Sequence, residues 1–173
     1  MQHCKQFHKL FILFLLILLP LGGYTSGRIH TPILTVAAII EIYEEDTFKG
    51  IVLIERGKEP FGKALPGGKV EYGETVENAI RREMMEEVHL SLEDLKQFHV
   101  YSDPTRDFRH HSVEVTHIAK AHQSPIAGDD AANAFIVQLE DIPWSELAFD
   151  HAQILKDYLA WKYEKAFSPM EKQ

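Results

Sequence analysis

The stretch from Ala64 to Leu90, ALPGGKVEYGETVENAIRREMMEEVHL, restricts this chain more than any other. It joins a sharp Pro66-Gly67-Gly68 feature to a segment, Glu74 to Val88, that lacks Gly and Pro and is dense in good helix formers. On a helical wheel of about 100° per residue, Val76, Ala79, Ile80 and Met84 fall on one side, which should face a sheet. Glu83 and Glu87 point almost the same way, and Glu86 lies on the edge beside Ala79. A solvated helix places its glutamates opposite the apolar stripe. Carboxylates this close repel one another, and partial burial strengthens the repulsion. Arg81 can pair with Glu77 four residues before it, and one further arginine, Arg82, cannot neutralise three carboxylates. A hard divalent cation can, because Mg²⁺ accepts carboxylate oxygens, carbonyl oxygens, water and substrate phosphates. The competing reading is a glutamate-rich surface helix with i,i+4 pairs; the sidedness speaks against it.

Around this segment the pattern predicts strands at Ile33 to Tyr43, Gly50 to Glu55, Phe98 to Ser102, Val113 to Ala121 and Ala134 to Leu139. Residues 57–63 read as a loop. Asp150 can cap a last helix running to about Lys162, with Ile154, Leu155, Tyr158, Leu159 and Trp161 for packing. Strands and helices mix without strict alternation, so the expected class is α/β, a mixed sheet flanked by helices.

The N-terminus reads differently. Lys5 and Lys9 precede the apolar run Leu10 to Leu19, followed by Pro20 and small residues up to Gly27. This predicts a secretory signal peptide over 1–27 or, if uncleaved, a membrane anchor through residues 8–21. The domain is then expected over 28–165, with a flexible tail at 166–173. Cleavage implies export to a periplasmic or extracellular space, retention implies membrane attachment, and a cytoplasmic protein is the remaining alternative. Cys4 is the single cysteine, which rules out a disulfide framework and a cysteine-based zinc site. The net charge of −8 argues against non-specific nucleic-acid binding, which needs clustered Lys and Arg.

From Gly68 to Leu90 the spacing follows G-x5-E-x7-R-E-U-x-E-E-x-G-U, where U is a bulky aliphatic residue. This resembles the Nudix hydrolase signature. His89 departs from it, standing where the family has its last glycine. The resemblance implies a Nudix-type α/β/α sandwich with a mixed β-sheet in a single domain. It implies Mg²⁺ or Mn²⁺ held by Glu83, Glu86 and Glu87 with the Gly67 carbonyl, and Glu74 and Arg82 bracing the loop and helix. Glu83, Glu86, Arg82 and Glu74 are the catalytic candidates. The implied reaction is hydrolysis of a nucleoside diphosphate linked to another moiety. Homodimers are common among similar enzymes.

Outside the box, ALPGGKVEYGETVE (64–77), YSDPTRD (101–107), AGDDA (127–131) and LAFDHAQILKDYL (147–159) resemble ADP-ribose pyrophosphatases of this superfamily. That implies ADP-ribose plus water giving AMP and ribose 5-phosphate. Arg106 and Arg109 belong to a basic cluster with His110 and His111, suited to phosphate by their forked donors; alternatively Arg106 pairs with Asp103 or Asp107 and fixes its loop. Tyr72, Phe61 and Phe108 are stacking candidates for a base, or plain packing. Asn133 stands where relatives often have a glutamate, so the general base would be Asp129, Asp130 or a box glutamate. Asp129 and Asp130 are also substrate-binding candidates or ordinary loop residues. Two other functions stay open: a hydrolase of another nucleotide (a damaged nucleotide, a dinucleoside polyphosphate or a nucleotide sugar), and a non-catalytic nucleotide-sugar-binding module.

Overall fold

The computed structural model describes residues 30–128 and 131–167. The expected leader or anchor at 1–27, Asp129, Asp130 and residues 168–173 lie outside the described residues.

Strand β1 (Ile33–Glu44) is an almost unbroken apolar run, as befits a strand covered on both faces. It pairs in parallel with β6 (Ser112–Ala121) from Ile33 opposite Ser112 to Ile42 opposite Ala121. Its other edge is shared by two strands in turn. Thr35, Val36 and Ala37 face β4 (Gly67–Lys69), and Glu41 to Glu44 face β2 (Thr47–Arg56). Beyond β1, Ile54 and Glu55 of β2 pair with both β3 (Lys63–Ala64) and β7 (Ala131–Val137). Those two strands therefore occupy opposite edges of β2. Strand β5 (Glu93–Tyr101) runs antiparallel to β6 and ends the order β3-β2-β1-β6-β5.

The two faces of β1 belong to two cores. Val36, Ala38, Ile40 and Ile42 pack with Ala79, Ile80, Met84 and Val88 of helix α1 (Val76–Glu87) and its C-cap. Ala37 and Ile39 pack with Ile154, Leu155 and Tyr158 of helix α2 (His151–Phe167). The result is the expected helix–sheet–helix sandwich. Ile80 and Met84 are fully buried, each contributing roughly 1.5–3 kcal/mol of apolar transfer. Glu41, on the α2 side, accepts hydrogen bonds from Tyr158 Oη and Lys162 Nζ, both at 2.6 Å. Burial alone would raise its pKa; the donors hold it below the usual value.

Several boundaries differ from expectation. Helix α1 starts at Val76 rather than Glu74, because the Thr75 side chain accepts from the Asn78 amide at 3.2 Å and caps it. Arg81 donates to the Leu92 carbonyl at 2.7 Å rather than pairing with Glu77. The fifth strand begins at Glu93, not Phe98. Its charged residues suit an edge position, and its pairing is interrupted by bulges. Strand β7 spans 131–137 rather than 134–139, since Leu139–Asp141 turns into a 3₁₀ helix.

Candidate active site

The antiparallel pairing of β1 with β4 decides where the acidic helix sits. Gly67 lies so close to β1 that a Cβ there would overlap the Val36 carbonyl oxygen. The Gly67 amide donates to Glu87 Oε2 at 2.9 Å, tying the last turn of α1 to the strand. Gly68 is the cradle for Glu83: a Cβ on it would run into the Glu83 carboxylate. The two glycines thus seat two of the three sequence-predicted ligands.

Arg82 organises the rest. Its Nη2 and Nε reach Glu74 Oε1 and Oε2 at 2.7 and 3.3 Å, and Nη2 also donates to the Lys69 carbonyl at 3.0 Å. Its Nη1 bridges Glu83 Oε1 at 2.9 Å and Glu86 Oε2 at 3.1 Å. Glu74 in turn accepts from the Glu71 amide at 2.7 Å. The loop 69–74 and the helix are therefore locked through one guanidinium. Arg82 hydrogen bonding, then the Glu71 amide, holds the Glu74 carboxyl below its ordinary pKa. Glu83 is pushed the other way, chiefly by burial, with Glu86 and Glu74 adding to the shift against the opposition of Arg82. The Glu83 side chain is 13% exposed and that of Glu86 54%. Glu83 is thus the crowded, half-sealed carboxylate and Glu86 the solvent-facing one.

Among the described residues no three His, Cys, Asp or Glu side chains converge as a ready metal group; Arg82 is the cation that Glu83 and Glu86 share. The donor set still suits a hard divalent cation: carboxylate oxygens, an adjacent carbonyl strand and a carboxyl whose charge is under-compensated. Arg82 takes one oxygen of each carboxylate, Glu83 Oε1 and Glu86 Oε2, and leaves the second oxygen of each to a cation.

These residues border a cleft of about 550 Å³. Gly67, Gly68, Arg82, Glu83, Glu86 and Glu87 line it together with Arg56, Lys58, Arg106, Arg109, Glu114 and His151. Arg56 and Arg109 both lie against the Phe149 ring, 4.7 and 5.3 Å from its centroid. An acidic helix and a basic group of side chains thus share one cavity, as a bound metal–diphosphate unit demands.

The basic cluster is less free than its sequence suggests. Arg106 is buried, its side chain 3% exposed, and donates to Asp150 at 2.6 and 3.0 Å and to Ser112 at 3.0 Å, with Glu114 at 3.2 Å. It does fix its loop, but through Asp150 and Glu114 rather than Asp103 or Asp107. Arg109 is the one paired with Asp107, at 2.8 and 2.9 Å, and it also donates to the Glu59 carbonyl at 2.8 Å. Tyr72, Phe61 and Phe108 are exposed and do not line the cleft. Asn133 lies in β7 opposite Glu55 and is exposed.

Arg56, Glu114 and His151 are among the cleft residues that were not anticipated. Arg56 closes strand β2 and falls between the expected strand, Gly50 to Glu55, and the expected loop, 57–63. Glu114 sits within an apolar strand, where burial raises its pKa to about 7 despite Arg106 nearby. His151 accepts the Leu65 amide at Nδ1, 2.9 Å away, so Nε2 carries the proton. Burial, then the charges of Arg106 and Arg56, depress its pKa to about 3, and it stays neutral. A charged residue inside an apolar run was the available signal for Glu114.

A seam of glycines thus seats an arginine-braced acidic helix in a two-helix sandwich. The family model described as the NUDIX domain matches residues 33–161, and the chain belongs to the NUDIX family of pyrophosphohydrolases. It is 44% identical over 128 residues to the ADP-ribose pyrophosphatase of Methanocaldococcus jannaschii, covering 72% of this chain and 73% of that protein. The NUDIX domain of Shewanella oneidensis NrtR, solved in complex with ADP ribose, superposes with a TM-score of 0.70 at 25% identity, over 81% of this chain and 94% of that one. A MutT/nudix family protein from Enterococcus faecalis gives 0.65 at 29% identity over 77% of this chain. There the match spans 63% of the other chain, less than two thirds of its length.

Proposed function

We propose that this protein hydrolyses the diphosphate of ADP-ribose to AMP and ribose 5-phosphate with Mg²⁺ or Mn²⁺. The observation that carries the reading is the seating of Glu83 and Glu87 against Gly68 and Gly67 in a cleft that also holds Arg56 and Arg109. The 44% identity to a protein named ADP-ribose pyrophosphatase, and the neighbour solved with ADP ribose, support the choice of substrate.

Glu83, Glu86 and Glu87, with the Gly67 carbonyl, would hold the cation. When bound, such a metal draws charge off a diphosphate and lowers the pKa of coordinated water. The chain's own residues supply orientation. Arg82, fixed by Glu74 and the Lys69 carbonyl, sets the position of Glu83. Arg109 and Arg56, stacked on Phe149 and tied to Asp107 and to the Glu59 and Pro60 carbonyls, bring fixed positive charge to the side of the cleft where phosphate oxygens would lie. Buried Arg106, tied to Asp150, holds the wall behind them.

The test is a panel of ADP-ribose, nucleotide sugars, dinucleoside polyphosphates and oxidised nucleoside triphosphates, with products identified by chromatography. AMP and ribose 5-phosphate, formed only with Mg²⁺ or Mn²⁺, are expected. Intact ADP-ribose beside turnover of another nucleotide would overturn the substrate, and binding without turnover of any would overturn the enzyme.

A further inference from the structure

The end of α1 is electrostatically awkward. Glu83, Glu86 and Glu87 crowd its last turns, at the negative end of the helix dipole, and the last turn holds no basic residue. The final carbonyls also need donors from outside the helix. Two come from the loop before β7. Gly128 N donates to the Glu87 carbonyl at 2.8 Å, and Ile126 N to the Val88 carbonyl at 3.0 Å. The loop packs backbone on backbone here: a Cβ on Gly128 would overlap the Glu86 carbonyl oxygen.

His89 completes the contact. Its φ is +53°, a left-handed conformation that costs a non-glycine residue roughly 1–2 kcal/mol. Its Nδ1 lies 3.1 Å from the Ile126 carbonyl. A carbonyl only accepts, so Nδ1 carries a proton and donates. Ile126 is thereby gripped by both of its backbone groups, through Val88 and His89. A glycine at 89 would relieve the strain and lose this grip.

We propose that His89 is a positioning residue: it fastens the 126–128 loop to the last turn of α1 and so holds Glu86 and Glu87 where they serve the site. The inference rests on the reading of those glutamates as metal ligands.

The test compares full-chain wild type with His89→Gly and His89→Asn. Asparagine tolerates the left-handed conformation, and its amide can donate to Ile126. Three quantities are read: Mn²⁺ binding by electron paramagnetic resonance, hydrogen exchange at the Ile126 and Gly128 amides, and the melting temperature. His89→Gly should melt no lower than wild type, yet exchange faster at both amides and bind Mn²⁺ on the order of 10-fold more weakly, as loss of an outer-shell support does. His89→Asn should recover most of both. Equal Mn²⁺ binding in wild type and His89→Gly overturns the positioning role alone. Failure of wild type to bind Mn²⁺ overturns the metal reading, and the positioning role with it.

Discussion

Two adjacent glycines should respond to alanine in opposite ways. At Gly68 the three atoms nearest the new methyl all belong to the carboxylate of Glu83. That is the far end of a flexible side chain, and it can swing aside. The lost Arg82–Glu83 hydrogen bond, 2.9 Å long, is partly offset by the lower unfolded-state entropy of alanine, so stability should change by less than about 1 kcal/mol. Catalysis should not escape. Moving one reacting-site carboxylate by about 1 Å costs on the order of 10²-fold in kcat/KM, or ~2.7 kcal/mol of transition-state stabilisation. At Gly67 the methyl meets backbone instead, the Val36 carbonyl and, at 2.8 Å, Ala37 Cα. Neither can move without parting β4 from β1, so overpacking should cost roughly 1–3 kcal/mol. Urea unfolding and steady-state hydrolysis of ADP-ribose on both variants decide the matter. Wild-type kcat/KM in Gly68→Ala, or equal stability loss in the two, would refute the reasoning.

Arg106→Met should lower unfolding stability by roughly 3 kcal/mol, because buried Glu114 and half-buried Asp150 would lose the guanidinium they share; a urea midpoint within error of wild type would show the ion pair to be dispensable. Glu114 has a folded pKa of about 7, above its unfolded value, so between about pH 4.5 and 7 the folded state binds more protons. Its contribution is therefore present at low pH and lost as pH rises through 7, and the melting temperature of wild type should fall relative to Glu114→Gln across that window; a constant difference would contradict the burial argument. Glu87→Gln can still accept the Gly67 amide and should fold normally, but its hydrolysis of ADP-ribose should drop to the level of wild type in EDTA; full activity would remove Glu87 from the metal site.

Local spacing made much of the site readable in advance. The sidedness of Glu83, Glu86 and Glu87 follows from helical period: Glu83 and Glu87 are partly buried, and Glu86, at the edge, faces solvent. The apolar run from Ile33 to Tyr43 announced a strand, and the structure adds that both of its faces are covered. The cap by Thr75 escaped because Glu74 also fits a first helical turn, and only the hydrogen bond to Asn78 separates the two. The first half of β5, Glu93 to Gln97, escaped because its charged residues carry little apolar alternation, which an edge strand does not need.

The chain's own order of residues determined the acidic helix, the glycine seam and the apolar first strand, since each depends on neighbours within a few positions. Tertiary structure alone decided that Arg106 would spend its guanidinium on Asp150 and Glu114, and that Arg56 and His151 would join the glutamates in one cleft. Those outcomes depend on which strand edges and helix ends meet across the sheet. Contacts of that kind are set by packing between distant segments, and no local period records them.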